Sequence, residues 1–303
     1  MGKVILGIHG LGNKPEKSRI AEWWRLSMEE GLKREGFDTR LPRFEIVYWA
    51  DIMNKKPLVN FNDPDGPLYV DEIYTKAPEN FLNENYPLRK RLLRTAGKYL
   101  NRIFLNEDLT MRYSFIPNYL VRRYFRDIEI YYREECEVED AGICMIKDLI
   151  KLRLVTALEK YSNDDVMLIA HSMGSIVAFD VLSFVVPGIK IDTFITIGSP
   201  LGLPLVVSKI ASQYKPNPRG KKNMVTPPGI CCNWYNFSDV LDRVTFNYKL
   251  ARRFKMNNNA VKPRDFGVVN DYHNQKGVHN PHKSYGYLRA KQFARVLNEF
   301  ILR

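Results

Sequence analysis

The chain has 303 residues, of which 45% are hydrophobic and 26% are charged. This length and composition support one large hydrophobic core and are typical of a single globular α/β domain. The formal net charge of +12 at pH 7 predicts either an acidic partner or a solvated basic surface. No stretch approaches 18 consecutive apolar residues, so no transmembrane helix is expected.

Neither the first residues nor the cysteines have a pattern typical of exported proteins. The apolar run at residues 4–8 is too short for the core of a signal peptide. Two of the four cysteines, Cys231 and Cys232, are adjacent, and the other two fit no metal-binding spacing. We therefore expect free thiols in a reducing compartment, a cytoplasmic location and no bound metal.

Residues 1–49 are predicted to form a strand, a helix and a second strand. Residues 3–8 are a short β-branched run, typical of a buried strand, and a His-Gly-Leu-Gly turn follows at positions 9–12. The two glycines of this turn permit a tight backbone. Helical periodicity covers residues 20–34, and residues 44–49 have the pattern of the next strand.

The pattern changes between residues 51 and 137. Prolines interrupt the first part, and two amphipathic stretches follow, each with an apolar stripe and a basic opposite face. Residues 88–133 contain eleven lysines and arginines but only four acidic residues. We interpret 51–137 as a helical insertion in a single domain that spans residues 1–303.

After residue 137 the pattern of alternating helices and strands resumes. We predict helices over 138–161, 176–186 and 285–302, and strands over 166–170, 193–197 and 231–237. Between them, residues 201–229 have the proline-rich composition of a long loop. This alternation favours a mostly parallel sheet flanked by helices.

The strongest motif is the turn after the predicted strand 166–170. Its sequence, Ala170-His171-Ser172-Met173-Gly174, is a small-x-Ser-x-Gly pattern between an apolar strand and a helix. A serine on such a sharp turn presents its hydroxyl above the sheet, and small residues on either side let strand and helix approach. The motif predicts that Ser172 is a nucleophile. The alternative is an ordinary turn with a helix-capping serine.

The strand-to-helix turn at Ser172 is of the type called a nucleophile elbow. Through this elbow and the His-Gly-Leu-Gly turn, the chain resembles the α/β-hydrolase superfamily, and within it the lipase- and esterase-like enzymes. The resemblance covers most of 3–49 and 138–303, and Ala170 replaces the first glycine of the usual elbow. It implies the α/β-hydrolase fold, with the insertion 51–137 as a helical lid over the pocket.

The resemblance also implies the position of the oxyanion hole. Its two donors would be the backbone N–H groups of Leu11 and Met173. The supporting loop would consist of His9, Gly10 and Gly12.

In this superfamily the acid and the histidine follow the serine in that order. The acid is expected after the strand 231–237, where Asp239 and Asp242 compete. Asp242 is preferred because Asp242-Arg243-Val244 matches an Asp-x-Val pattern frequent in similar enzymes. Asp239 would then be a turn-forming residue.

The base is expected in the loop before the last helix. His282 is preferred to His279 and His273 because it directly precedes that helix. His171 is adjacent to the serine, and we expect its side chain to point away from the hydroxyl in a structural role.

These residues predict a serine ester hydrolase that works through an acyl-enzyme. No metal and no organic cofactor are implied, and the expected substrate is a small-molecule or lipid ester. Acyl transfer to an alcohol by the same fold is one alternative. A non-catalytic binding protein that has kept the fold is the other.

The basic faces of the insertion 51–137 are a candidate contact with an anionic membrane. A solvated basic face on ordinary packed helices is the alternative. No nucleic-acid-binding module is recognisable, so no nucleic-acid partner is expected.

Overall fold

The computed structural model describes residues 2–59, 73–78, 131, 135–138, 142–214, 224–245 and 249–303. Most of the predicted insertion 51–137, including both amphipathic stretches and their basic faces, lies outside the described residues. The assignment of this segment as a lid therefore stays a prediction.

The described part contains ten strands. They are β1 (Lys3–Ile8), β2 (Arg43–Val47), β3 (Glu135–Val138), β4 (Gly142–Met145), β5 (Asp165–His171), β6 (Ile191–Ile197), β7 (Met224–Val225), β8 (Ile230–Asp239), β9 (Phe254–Lys255) and β10 (Pro263–Val268). Six of them form one sheet in the order β10-β8-β6-β5-β1-β2. All neighbouring pairs in this sheet are parallel.

The described residues also contain seven α-helices. They are α1 (Lys17–Arg34), α2 (Ala50–Met53), α3 (Ile146–Lys160), α4 (Met173–Asp180), α5 (Pro204–Gln213), α6 (Ser284–Leu288) and α7 (Lys291–Leu302). Helix α4 continues directly into a π-helix, Val181–Val185. None of the described helices is long and apolar enough to cross a membrane.

The sheet is covered on both faces, which explains why its strands are nearly continuous apolar runs. One core contains the inner faces of α3 and α4, with Leu154 and Phe179 among its buried residues. The other contains α1, α6 and α7, with Trp24 and Phe293 fully buried. This three-layer arrangement confirms the predicted mostly parallel sheet flanked by helices, which is the architecture of the α/β-hydrolase fold.

The predicted helix 138–161 is wrong in its first part. Strands β3 and β4 form an antiparallel hairpin in which Cys136 pairs with Cys144, and the helix begins only at Ile146. A helix through this region would contain Gly142 in its interior, which costs about 1 kcal/mol relative to alanine. The hairpin satisfies the same backbone groups without that cost.

Two other predictions in the C-terminal half need correction, and one strand there was not predicted. The supposed loop 201–229 contains helix α5. The predicted closing helix is two helices, because the chain is extended at Ala290 between α6 and α7. Strand β10 could not be predicted because its sequence, Pro-Arg-Asp-Phe-Gly-Val, has few consecutive apolar residues.

Candidate active site

The turn between β5 and α4 has a strained backbone at Ser172. This residue has φ +54° and ψ −126°, a left-handed conformation that is costly for a residue with a side chain. Its N–H donates to the carbonyl oxygen of Ile197 at 3.0 Å, which ties the turn to the end of β6. The strain is held by the surrounding sheet, as expected for a strand-to-helix nucleophile elbow.

Two glycines allow the loop after β1 to pack directly on this turn. A Cβ atom on Gly10 would lie 2.7 Å from the Cβ of Ser172, and one on Gly174 would lie 2.7 Å from the carbonyl oxygens of Ile8 and His9. Neither position can hold a larger residue without moving the backbone. The two sequence motifs are therefore parts of one packed unit.

The structure brings Ser172, His282 and Asp242 together in one hydrogen-bonded row. The distance from Ser172 Oγ to His282 Nε2 is 2.9 Å, and that from His282 Nδ1 to Asp242 Oδ2 is 2.8 Å. The three residues are only 2%, 7% and 4% exposed. The carboxylate oxygen accepts from Nδ1–H, which leaves Nε2 to face the serine hydroxyl.

A tyrosine that no sequence motif indicates also contacts Asp242. The hydroxyl of Tyr287 donates to Asp242 Oδ2 at 2.7 Å, and the N–H of Val244 donates to Oδ1 at 2.9 Å. Burial, followed by the charges of Asp242 and Asp239, holds the pKa of Tyr287 well above its usual range. The phenol therefore stays protonated and remains a donor.

Asp239 faces main-chain donors instead. Its Oδ1 accepts from the N–H of Leu241 at 2.7 Å, and its Oδ2 accepts from the N–H of Asn270 at 2.6 Å. Burial raises the pKa of this carboxyl to about 6. These contacts fix the turn after β8, and they lie outside the row formed by Ser172, His282 and Asp242.

The other two candidate histidines bond to the main chain of their own loop. His279 Nε2 lies 2.7 Å from the carbonyl oxygen of Asn270, and His273 Nδ1 lies 3.1 Å from that of Asp271. Because a carbonyl only accepts, both ring nitrogens act as N–H donors there. The structure places His282, rather than either of these residues, beside the serine hydroxyl.

His171 is bound to the loop that carries His282. Its Nε2 lies 2.8 Å from the carbonyl oxygen of His282, and the two rings are 5.0 Å apart. Burial, and then the charge on His282, hold the pKa of His171 well below its usual range. The neutral ring therefore donates to the His282 main chain, a contact that the sequence could not indicate.

His9 fixes the loop predicted to supply one oxyanion donor. Its Nδ1 donates to the carbonyl oxygen of Gly10 at 2.8 Å, and its Nε2 accepts from the N–H of Trp49 at 3.1 Å. The indole N–H of Trp49 donates to the His9 carbonyl, and the rings stack 4.8 Å apart. The imidazole is thus neutral, with its proton on Nδ1.

The two predicted oxyanion donors lie in the segments that meet at Gly10 and Ser172. Leu11 follows the close contact directly, and Met173 is the first residue of α4. The N–H groups in the first turn of a helix have no partner within the helix and lie at its positive end. The assignment of these two N–H groups to an oxyanion hole stays a prediction.

No metal centre is evident in the part of the chain that the structure describes. There, no group of three His, Cys, Asp or Glu side chains is arranged to hold a metal ion. Cys231 and Cys232 are free thiols.

A comparison with known families finds a match for part of the chain. The model of the lecithin:cholesterol acyltransferase family matches residues 148–217. The matched segment includes the elbow at Ser172, but it ends before Asp242 and His282. No curated protein matches the chain. Together with the parallel sheet, the match shows a lipase-like relationship at the level of the fold.

Proposed function

We propose that this α/β-hydrolase is a serine ester hydrolase that works through an acyl-enzyme. The observation that supports this best is the buried row of Ser172, His282 and Asp242, with successive hydrogen bonds of 2.9 and 2.8 Å. Serine is a weak nucleophile at neutral pH, and a base held by an acid activates it.

In the first half-reaction, Ser172 Oγ attacks the ester carbonyl carbon while His282 Nε2 accepts the hydroxyl proton. Asp242 holds the Nδ1–H tautomer and stabilises the imidazolium that forms. The N–H groups of Leu11 and Met173 would bind the oxygen that becomes negative. One such donor is typically worth about 10²–10³ in rate. His282 then gives its proton to the leaving alcohol, and the acyl group stays on Ser172.

In the second half-reaction, His282 deprotonates a water molecule that attacks the acyl-enzyme and releases the carboxylic acid. An alcohol in place of water would give a new ester instead. This acyltransferase alternative is favoured by the match of residues 148–217 to a family named for acyl transfer. The two reactions share the acyl-enzyme and differ only in the acceptor.

The proposed substrate is a lipid or small-molecule ester. The match to the lecithin:cholesterol acyltransferase family supports the lipid class. The insertion 51–137 would be the lid that selects among acyl chains, and its basic faces would meet an anionic membrane. Most residues of this insertion lie outside the described ranges, and both roles rest on the sequence pattern alone. The cytoplasmic location rests on the sequence in the same way.

The test is hydrolysis of p-nitrophenyl esters of graded chain length by the wild type and by Ser172→Ala and His282→Ala. Either substitution should reduce kcat to near the background rate, because the members of a triad act as a unit. His279→Ala is the matched control, since His279 binds the main chain of Asn270 and should not affect turnover. Full activity in Ser172→Ala, or no ester turned over by the wild type, would refute the proposal.

Hydrolysis and acyl transfer are distinguished by adding a long-chain alcohol to the same reaction. If water is the acceptor, the free acid stays the main product as the alcohol concentration rises. If an alcohol is the natural acceptor, a new ester replaces the acid at low alcohol concentration. In either case Ser172→Ala must abolish both products.

A further inference from the structure

Lys14 lies in the loop after β1 and is almost completely buried. Only 5% of the residue is exposed, and its Nζ donates to the carbonyl oxygen of Leu11 at 2.6 Å. Lysines are rarely buried to this extent, because the ammonium group loses its hydration. The mechanism described above makes no use of this residue.

The main chain of Lys14 is fixed from two sides. Its carbonyl oxygen accepts from the N–H of Leu58 at 2.8 Å and from the hydroxyl of Tyr48 at 3.2 Å. Its own N–H donates to Oδ1 of Asn13 at 2.9 Å. From this anchored position the side chain reaches back across the turn to the peptide that joins Leu11 to Gly12.

That peptide belongs to the turn that would bind the oxyanion. Gly12 has φ +85°, a conformation that glycine adopts readily because it has no side chain, so contacts from neighbouring residues must hold the turn in place. A Cβ on Gly12 would be 3.7 Å from Lys14 Nζ, so the ammonium group lies directly against the turn. The hydrogen bond from Lys14 fixes the Leu11 carbonyl and with it the backbone on either side.

The charge of Lys14 also acts on the turn that carries Ser172. It is one of the charges that lower the pKa of His171, the residue before Ser172. The ammonium group of Lys14 therefore lies within electrostatic range of the turn that carries Ser172.

We propose that Lys14 is a positioning residue for ester cleavage: it holds the Leu11 carbonyl, and with it the turn that carries the Leu11 N–H of the oxyanion hole. This inference rests on the proposed function. It concerns a residue of this chain that neither sequence motif requires.

The test compares Lys14→Met, which removes the charge at nearly constant length, with Lys14→Arg, which keeps a charged donor. Lys14→Met should lower kcat and kcat/KM together by about 10- to 100-fold, with KM nearly unchanged, because the lost interaction is made in the transition state. Lys14→Arg should recover at least part of that loss. The control is Lys17→Met, since the Lys17 side chain is 54% exposed and pairs with Glu45 at the surface. It should keep full activity.

Thermal unfolding of all three variants separates this role from a structural one. If Lys14→Met unfolds like the wild type but reacts more slowly, the inference holds. The inference fails if kcat is unchanged, if only KM rises, or if arginine restores the unfolding temperature without restoring kcat. The rate at which a fluorophosphonate modifies Ser172 provides a second readout and should fall in parallel with kcat. Failure of the proposed function would appear elsewhere, as wild-type hydrolysis that persists in Ser172→Ala.

Discussion

Two buried carboxylates at the end of β8 are distinguished by the groups that donate to them. Asp242 accepts hydrogen bonds from two side chains, those of His282 and Tyr287. Asp239 receives two main-chain N–H groups. A carboxylate that faces an imidazole can orient it and respond to its charge, whereas one that closes a turn stabilises the local backbone.

Asp242→Asn is therefore expected to lower kcat far more than Asp239→Asn. The first change replaces the acceptor of the His282 Nδ1–H, and in a serine triad that loss can reach about 10⁴ in kcat. The second should leave kcat within about tenfold of the wild type and act mainly on stability, through a weakened turn. Steady-state ester hydrolysis and urea unfolding of both variants are the measurements.

The ranking of these two variants decides the assignment of the acid. If Asp239→Asn loses more activity than Asp242→Asn, then Asp239 is the orienting acid. If neither change affects kcat, the row of side chains beside Ser172 is not catalytic.

At this scale the sequence indicates the residues that belong to motifs, but not those that support them. Ser172, with its flanking strand and helix, and the order in which Asp242 and His282 follow it could be predicted. Lys14, His171 and Tyr287 could not, because each acts through a contact that only the folded chain creates. The catalytic roles of the predicted residues stay predictions until the variants are measured.

On the scale of elements, a buried ion-pair network anchors the loop that carries His282. The guanidinium of Arg289 donates from Nε to Asp271 at 2.6 Å, from Nη1 to Glu30 of α1 at 3.2 Å, and also to the carbonyl of Thr75. Arg34 of α1 donates to the other oxygen of Asp271 at 2.7 Å. The network joins α1, residues 73–78 and the loop after β10, and it occupies the break between α6 and α7.

Removing Arg289 should therefore destabilise the fold strongly. Arg289→Met removes the buried guanidinium that pairs with Asp271 and Glu30, and breaking a buried pair typically costs about 3–5 kcal/mol. Arg295→Met is the matched control, because that side chain is 57% exposed and pairs with Glu35 at 3.3 Å. An exposed pair of this kind is worth about 0–1 kcal/mol.

Urea denaturation provides the free energy of unfolding of both variants. The expected result is a loss of several kcal/mol in Arg289→Met and almost none in Arg295→Met. Equal, small losses in the two variants would show that the network contributes little to the stability of this loop.

Helices and strands whose apolar residues follow a clear spacing could be predicted from the sequence. Those that depend on contacts with distant residues could not. Strands β1, β5, β6 and β8 and helix α1 lie within a few residues of their predicted bounds. The break between α6 and α7 contains Arg289, which pairs with the distant Asp271, and no local signal in the sequence marks it. Strand β10 exists because β8 offers a parallel edge, with Phe237 paired to Phe266.

At the scale of the whole molecule, buried ionisable groups link the stability of the fold to pH. Burial raises the pKa of Asp180 to about 6 and that of Asp239 to about 6. Because the folded state binds these protons more tightly than the unfolded state, both groups lose stabilising effect as pH rises from about 4 to 6. The lowered pKa of His171 acts in the opposite sense, since the unfolded chain takes up that proton first below about pH 6.5.

Asp180→Asn isolates one of these contributions. Asparagine does not titrate, and its side-chain oxygen can still accept the hydrogen bond from Tyr131, which is 3.2 Å long in the wild type. The unfolding free energy of the variant minus that of the wild type should increase by on the order of 2–3 kcal/mol between pH 4 and pH 7. Urea denaturation across this range provides the comparison, and a constant difference would contradict the role assigned to Asp180.

If Ser172 is the nucleophile, a reagent that reacts with activated serines should label this residue covalently. The wild type and Ser172→Ala are each incubated with a fluorophosphonate, and the intact mass and the modified peptide are determined. We expect one adduct per wild-type chain, on Ser172, slower labelling in His282→Ala, and none in Ser172→Ala. Equal labelling of the wild type and Ser172→Ala, or an adduct on another residue, would contradict this expectation.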